Sequence, residues 1–255
     1  MKGLQNTFKT LLFSLLLIFF SSTVLAGSIE KSSYNKLIYK AFITRDMTKW
    51  AELIRTIETT NDLKTVDKKL ELINYYYGYI GYLMGKKQYE TAEKLIDKGD
   101  KIIKEVLQLS PKNATAYSFK GAYLGFRIGI CHYKALFYES DSRSNVNKAL
   151  ELDPDNAQGL IDKGNMLYYA PRIFGGDKPL ALKYFLKGAA VMEKNKDTSE
   201  NWTYLNLLTI IASAYEKTDN LKMARLTYEK ILRIEPNITW VRDDIYPKFL
   251  GRNKS

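Results

Sequence analysis

The sequence predicts an all-α chain, a right-handed α-solenoid of stacked helical hairpins with an N-terminal helical cap. Two observations carry this. Pro111, Pro154 and Pro236 each close an apolar-periodic segment, at Leu109-Ser110, Leu152-Asp153 and Ile234-Glu235. They are separated by 43 and 82 residues, the second interval being twice 41. A period of that size marks supersecondary units that cannot bury their apolar faces alone and must stack. In addition, an Asn follows each of these prolines (Asn113, Asn156, Asn237), placed to cap the next helix.

Taken in order, the chain begins with Lys2 and Lys9, an apolar run from Leu11 to Phe20, and Val24-Leu25-Ala26, with no acid before Glu30. This is the layout of a secretory signal peptide over residues 1–26, and it implies an exported, periplasmic or secreted, protein. The run is about half of what a bilayer core requires, so cleavage after Ala26 is expected. An uncleaved anchor is the alternative, and membrane association is expected only in that case. Residues 27–72 read as a helical cap, with Trp50, Leu53, Ile54 and Ile57 on one face. Residues 73–250 read as about four hairpins, some with expanded turns, and 251–255 as a polar tail.

The last hairpin is the most regular. Leu208, Ile211, Ala212 and Tyr215 precede the turn Lys217-Thr218-Asp219-Asn220, and Ala224, Tyr228, Ile231 and Leu232 follow it. Small Ala212 and Ala224 fall where two antiparallel helices approach closely. This unit resembles a tetratricopeptide repeat, whose 34-residue pattern it fits without a gap. The earlier units fit with departures: an expanded turn over 168–177, a longer insertion between Gly121 and Ala149, and a long second helix after Ala92. Over 73–250 the chain is similar to exported tetratricopeptide-repeat proteins of Bacteroidetes whose role is not established. The likeness rests on Lys148–Pro154, Tyr168–Lys178 and Thr239–Arg242 with Tyr246–Phe249. Phe174-Gly175-Gly176-Asp177 followed by Ala181 gives a weaker resemblance to the helical periplasmic subunit associated with TRAP transporters, which would imply a transport role.

In such a stack the first helix of each pair lines the concave side. The repeat register turns inward Asn74, Tyr77 and Gly81; Ser118, Ala122 and Phe126; Asn165, Tyr168 and Tyr169; and Asn206, Thr209 and Ser213. Tyr and Asn pair contact area with hydrogen bonding, which suits a protein or peptide partner, or a small polar ligand. The same tyrosines could equally fill space between helices. In the expanded turn, Pro171, Gly175-Gly176 and Asp177 suit an ordered loop that caps the next helix. Either Arg172, Ile173 and Phe174 then form a recognition edge, or Ile173 and Phe174 tuck back to seal the hairpin. The candidate binding residues are therefore Tyr77, Asn165, Tyr168, Tyr169, Arg172, Phe174, Asn206 and Thr209.

Gly121, Gly125 and Gly129, four apart on one helix face, are expected to admit a close neighbour. Cys131 is expected to be buried within a helix and inert. A single histidine, His132, excludes multi-His metal sites, and no nucleophile elbow or phosphate-binding glycine loop occurs. Neither an enzyme nor a cofactor is expected. The net charge of +11 is spread over mixed-sign helix faces such as Asp67–Glu71 and Glu93–Lys98. That pattern is a solvated surface and not the one-sided basic stripe of a nucleic-acid binder. The leading expectation is a non-enzymatic scaffold holding a protein segment in its groove. The alternative is a periplasmic small-ligand-binding auxiliary subunit of a transport system.

Overall fold

The computed structural model describes residues 33–60 and 63–253, and the signal segment expected over 1–26 lies outside them. Eleven α-helices and no strand occur among the described residues. They pair as α1 (Ser33–Thr44) with α2 (Met47–Thr59), α3 (Val66–Gly85) with α4 (Tyr89–Leu109), and α5 (Ala114–Ile130) with α6 (Ala135–Leu152). Then come α7 (Ala157–Tyr169) with α8 (Lys178–Lys194), α9 (Trp202–Lys217) with α10 (Leu221–Ile234), and the terminal α11 (Tyr246–Arg252). The result is an all-α helical-repeat solenoid. Among the described residues no helix is long and apolar enough to cross a membrane.

Side-chain caps set most starts. Asn113 accepts from Ala116 N at 2.8 Å and Asn156 from Gly159 N at 2.9 Å. Asp46, Thr65, Asp177, Asn201 and Asn220 make the equivalent bond. Each occupies a first-turn N–H that the helix itself leaves free. Asn237 does not: helix resumes at Thr239, so the cap position falls on Ile238. Three further expectations are corrected. The boundary at residue 72 falls inside α3, and Gly251-Arg252 belong to α11 and not to a tail. Cys131 ends α5, partly exposed, where a short 3-10 turn, His132–Lys134, interrupts the run.

Close approach is concentrated at a few glycines. Gly164 lies against the Phe185 ring, and a methyl there would overlap it. Gly121 faces Val146 and the Ser142 carbonyl, while Ser142 Oγ donates to the Gly121 carbonyl at 2.8 Å. Gly125 has only Ser142 Oγ nearby, so the tight contacts along that glycine face are at Gly121 and at Gly129, where a Cβ would lie 2.8 Å from Met84 Cε. Gly164→Ala is expected to cost about 1–3 kcal/mol through overpacking, read as a lower urea midpoint at unchanged slope.

The ends of the array meet. Gly78 on α3 leaves a notch for two indoles: a Cβ there would lie 2.6 Å from Trp202 Cη2 and 2.8 Å from Trp50 Cζ2. Trp50 and Trp202 cross edge to face at 5.1 Å, and Phe42 adds contacts to Trp202 at 5.9 Å and Trp240 at 5.3 Å. Trp240 Nε1 donates to the Phe42 carbonyl at 3.0 Å, and Tyr39 OH donates to Glu235 Oε2 at 2.7 Å. The α1/α2 pair therefore joins the first and last repeats, instead of covering one open end.

Candidate functional site

The inward stripe of α7 begins one turn earlier than its register suggested, at Gln158 and Asp162. Asp162 is 1% exposed and accepts three bonds: from Tyr77 OH at 2.8 Å, Ser118 Oγ at 2.6 Å and Gln158 Nε2 at 3.0 Å. Asn165 Nδ2 donates to Tyr77 OH at 2.8 Å. This network links α3, α5 and α7 across the inner face. Nearby, Asn74 Nδ2 donates to Thr203 Oγ1 at 3.2 Å, joining α3 to α9. Burial raises the Asp162 carboxyl to about 6, even though its three donors act to lower it. Burial also pushes the Tyr77 phenol well above its usual range, with the Asp162 charge adding to the effect.

An open trough along the whole inner side is therefore not what forms. Most of the inward polar groups here bond one another, leaving the Asn74 and Asn165 amide oxygens buried without a partner among the described residues, and Tyr77 and Asn165 are committed to that contact. One turn further along α3 and α7 the face opens. Gly81 has nothing within 4 Å of where a Cβ would stand, and Tyr169 is exposed. Tyr168 OH lies 3.0 Å from Ser213 Oγ, and its ring meets Tyr169 edge to face at 5.0 Å.

Beside this pair is an open cleft of about 640 Å³, lined by Thr209, Ser213, Glu216, Tyr228, Ile245 and Arg252 among others. Glu216 anchors it, accepting from Tyr228 OH at 2.7 Å and pairing with Arg252 at 2.8 Å. Desolvation and the Glu216 carboxylate both raise the Tyr228 phenol, so it remains a hydrogen-bond donor throughout the physiological range. Thr209 Oγ1 donates back to the Leu205 carbonyl at 2.9 Å, and Asn206 is half-buried one turn away.

The expanded turn forms as the glycines and Asp177 require. Gly175 has φ 84°, and Asp177 Oδ1 accepts from Leu180 N at 2.9 Å. Arg172 and Phe174 occupy a short 3-10 turn, and both are exposed, as is Ile173. The side chains therefore stand out from the hairpin and do not seal it. Of the eight candidate residues, Tyr77 and Asn165 lie in the internal network, Thr209 lines the cleft, Tyr168 meets the cleft residue Ser213 and packs on Tyr169, Asn206 is half-buried one turn from Thr209, and Arg172 and Phe174 project from the turn. The network's centre, Asp162, was missed. The signal was available in the polar i, i+4, i+7 series Gln158, Asp162 and Asn165 on one helix face.

Among the described residues no group of three or more His, Cys, Asp or Glu side chains could hold a metal ion. Fold and inner face together define a tetratricopeptide-like helical-repeat protein. Residues 205–238, the most regular hairpin, match the tetratricopeptide repeat family profile. The HusA haemophore from Porphyromonas gingivalis is a similar solved structure, with TM-score 0.57 and 15% identity, over 74% of this chain and 96% of its own. A thermophilic tetratricopeptide-repeat protein of Thermus thermophilus is comparable, with TM-score 0.56 and 14% identity, over 86% of this chain and 100% of its own. No curated protein sequence matches the chain.

Proposed function

We propose that this is an exported, non-enzymatic tetratricopeptide-like scaffold that holds a segment of a protein partner at the mouth of its inner face, against Tyr168, Tyr169, Asn206 and Thr209. The observation that carries this reading is the contrast within one surface. The deep half is bridged by its own hydrogen bonds, with the Asn74 and Asn165 amide oxygens left over, whereas further along lies a cleft lined by Thr209, Ser213, Glu216 and Tyr228, with Tyr168 bonded to Ser213. Tyr rings supply contact area with little entropy to lose, and the neighbouring hydroxyl and amide groups can register an extended backbone. Export rests on the Lys2/Lys9, apolar, Ala26 pattern, and N-terminal sequencing of protein recovered from cells checks it: the first residue is expected to be Gly27.

A second reading, a small-ligand carrier, is favoured by one measurement: the cleft volume lies within the range of small-molecule sites. The haemophore with the same fold makes haem the first ligand to try. Selection of a random peptide library on the wild-type chain and on Thr209→Arg tests both. Enrichment of a common motif by the wild type, lost in a variant of equal melting temperature, is the expected result. Equal enrichment on both removes the mouth as the site. Saturable haemin binding, with a Soret change that Thr209→Arg abolishes, would select the carrier instead.

A further inference from the structure

Among the described residues, seven large apolar side chains are exposed by 64% or more, and six of them lie in two hairpin turns. Tyr133, Leu136 and Phe137 stand at the α5/α6 turn; Tyr169, Ile173 and Phe174 stand at the α7/α8 turn. The two turns are neighbours. Arg143 on α6 pairs with Glu139, and its guanidinium lies 3.9 Å from where a Gly175 Cβ would stand. Leu136 is one helical turn from Glu139, so the second turn rests about 5 Å along α6 from the first cluster. Six such side chains present on the order of 900 Å² of apolar surface, more than the patch of a few hundred Å² that a monomer ordinarily carries.

We propose that this edge docks on an anionic lipid surface, independently of the apolar run near the N-terminus. Charge selects this occupant. Arg172 and Lys178 flank the patch, exposed and without an ion pair among the described residues. Of the neighbouring acids, Glu139 is paired with Arg143, Glu93 with Lys134 and Asp177 with its own helix N-terminus, while Asp141, one turn past Phe137, is exposed without an ion pair among the described residues. A net charge of +11 opposes apposition of two copies but favours a negative bilayer. The geometry also fits. Tyr, Phe, Leu and Ile on projecting turns, bordered by cations, enter the headgroup boundary to a depth of roughly 5–10 Å, while the cations remain at the phosphates.

The test uses the full chain with Cys131→Ser and Ile173→Cys carrying an environment-sensitive nitrobenzoxadiazole label. Lys112→Cys serves as control, since it sits at the other end of α5, roughly 25 Å away along that helix. Vesicles of phosphatidylcholine, alone or mixed with phosphatidylglycerol, are added. A blue shift at position 173 on the anionic vesicles, weaker on the neutral ones and absent at 112, is expected. Leu136→Asp with Phe137→Asp should lower the apparent partition about tenfold or more at an unchanged melting temperature. The proposal is overturned by an unshifted 173 label, by an equal shift at 112, or by persistence of the shift in the aspartate variant. A shift that grows with protein concentration without vesicles would also overturn it, identifying the occupant as a second copy.

Discussion

Trp202→Ala is expected to lower stability by about 3–5 kcal/mol, the range for deleting a buried large aromatic side chain, and to do so by separating the two ends of the molecule. Its indole is 2% exposed, set in the notch at Gly78 and crossed by Trp50 and Phe42. The surrounding groups, Phe42, Trp50 and Gly78, belong to α1, α2 and α3, so collapse into the void would require shifts in three helices at once. At about 2–4 °C per kcal/mol for a domain of this size, the melting temperature falls on the order of 10 °C. Trp202→Phe makes the argument specific. Trp202 Nε1 is buried without a hydrogen-bond partner, so phenylalanine keeps much of the contact and relieves an orphaned donor. The phenylalanine variant is expected to lose less than half as much. Equal losses in the two variants would mean that the indole's polar edge, and not the packed rings, sustains the contact.

The second large effect is a dependence on pH. Asp162 titrates near 6 in the folded protein, against 3.8 for an unperturbed aspartate. A carboxyl with a raised folded value binds its proton more tightly when folded. Its contribution is fully present below the unfolded value and is lost as pH rises through 6. A shift of about two units corresponds to roughly 3 kcal/mol between pH 4 and pH 7. Unfolding free energies measured across that interval should therefore decline with pH in the wild type by about that much more than in Asp162→Asn. The asparagine cannot titrate; its Oδ1 still accepts from Tyr77, and its NH2, which cannot accept, can donate to the Ser118 hydroxyl. Parallel pH profiles for the two proteins would show that the carboxyl is solvated when the chain is folded.

Much of the fold was legible because it is written in local chemistry. Asn113 and Asn156 cap the helices they precede, and Ala212, Ala224 and Gly164 mark where neighbours come close. Pro171, Gly175 and Asp177 specify the one elaborate turn. What could not be read is long-range. The repeat register gives the side of a helix that faces inward, but not how tightly the array curves. Curvature decides whether Tyr77 and Asn165 look across empty space or, as here, meet Asp162. The same limit hid the partnership of Phe42 and Trp50 with Trp202 and Trp240, since residues so distant in sequence carry no mutual pattern. The failure at Asn237 was local, and its cause is an offset of one position between a side chain and the start of its helix.

The junction between Phe42, Trp50, Trp202 and Trp240 alters how the array should come apart. In an ordinary linear array each unit leans only on its neighbours, so the terminal ones fray first and opening proceeds stepwise. Here no unit is terminal in that sense, because the outermost helices brace each other. Amide exchange in α1 and α10 should therefore proceed at the slow rate of the middle of the chain, and melting should be a single concerted event.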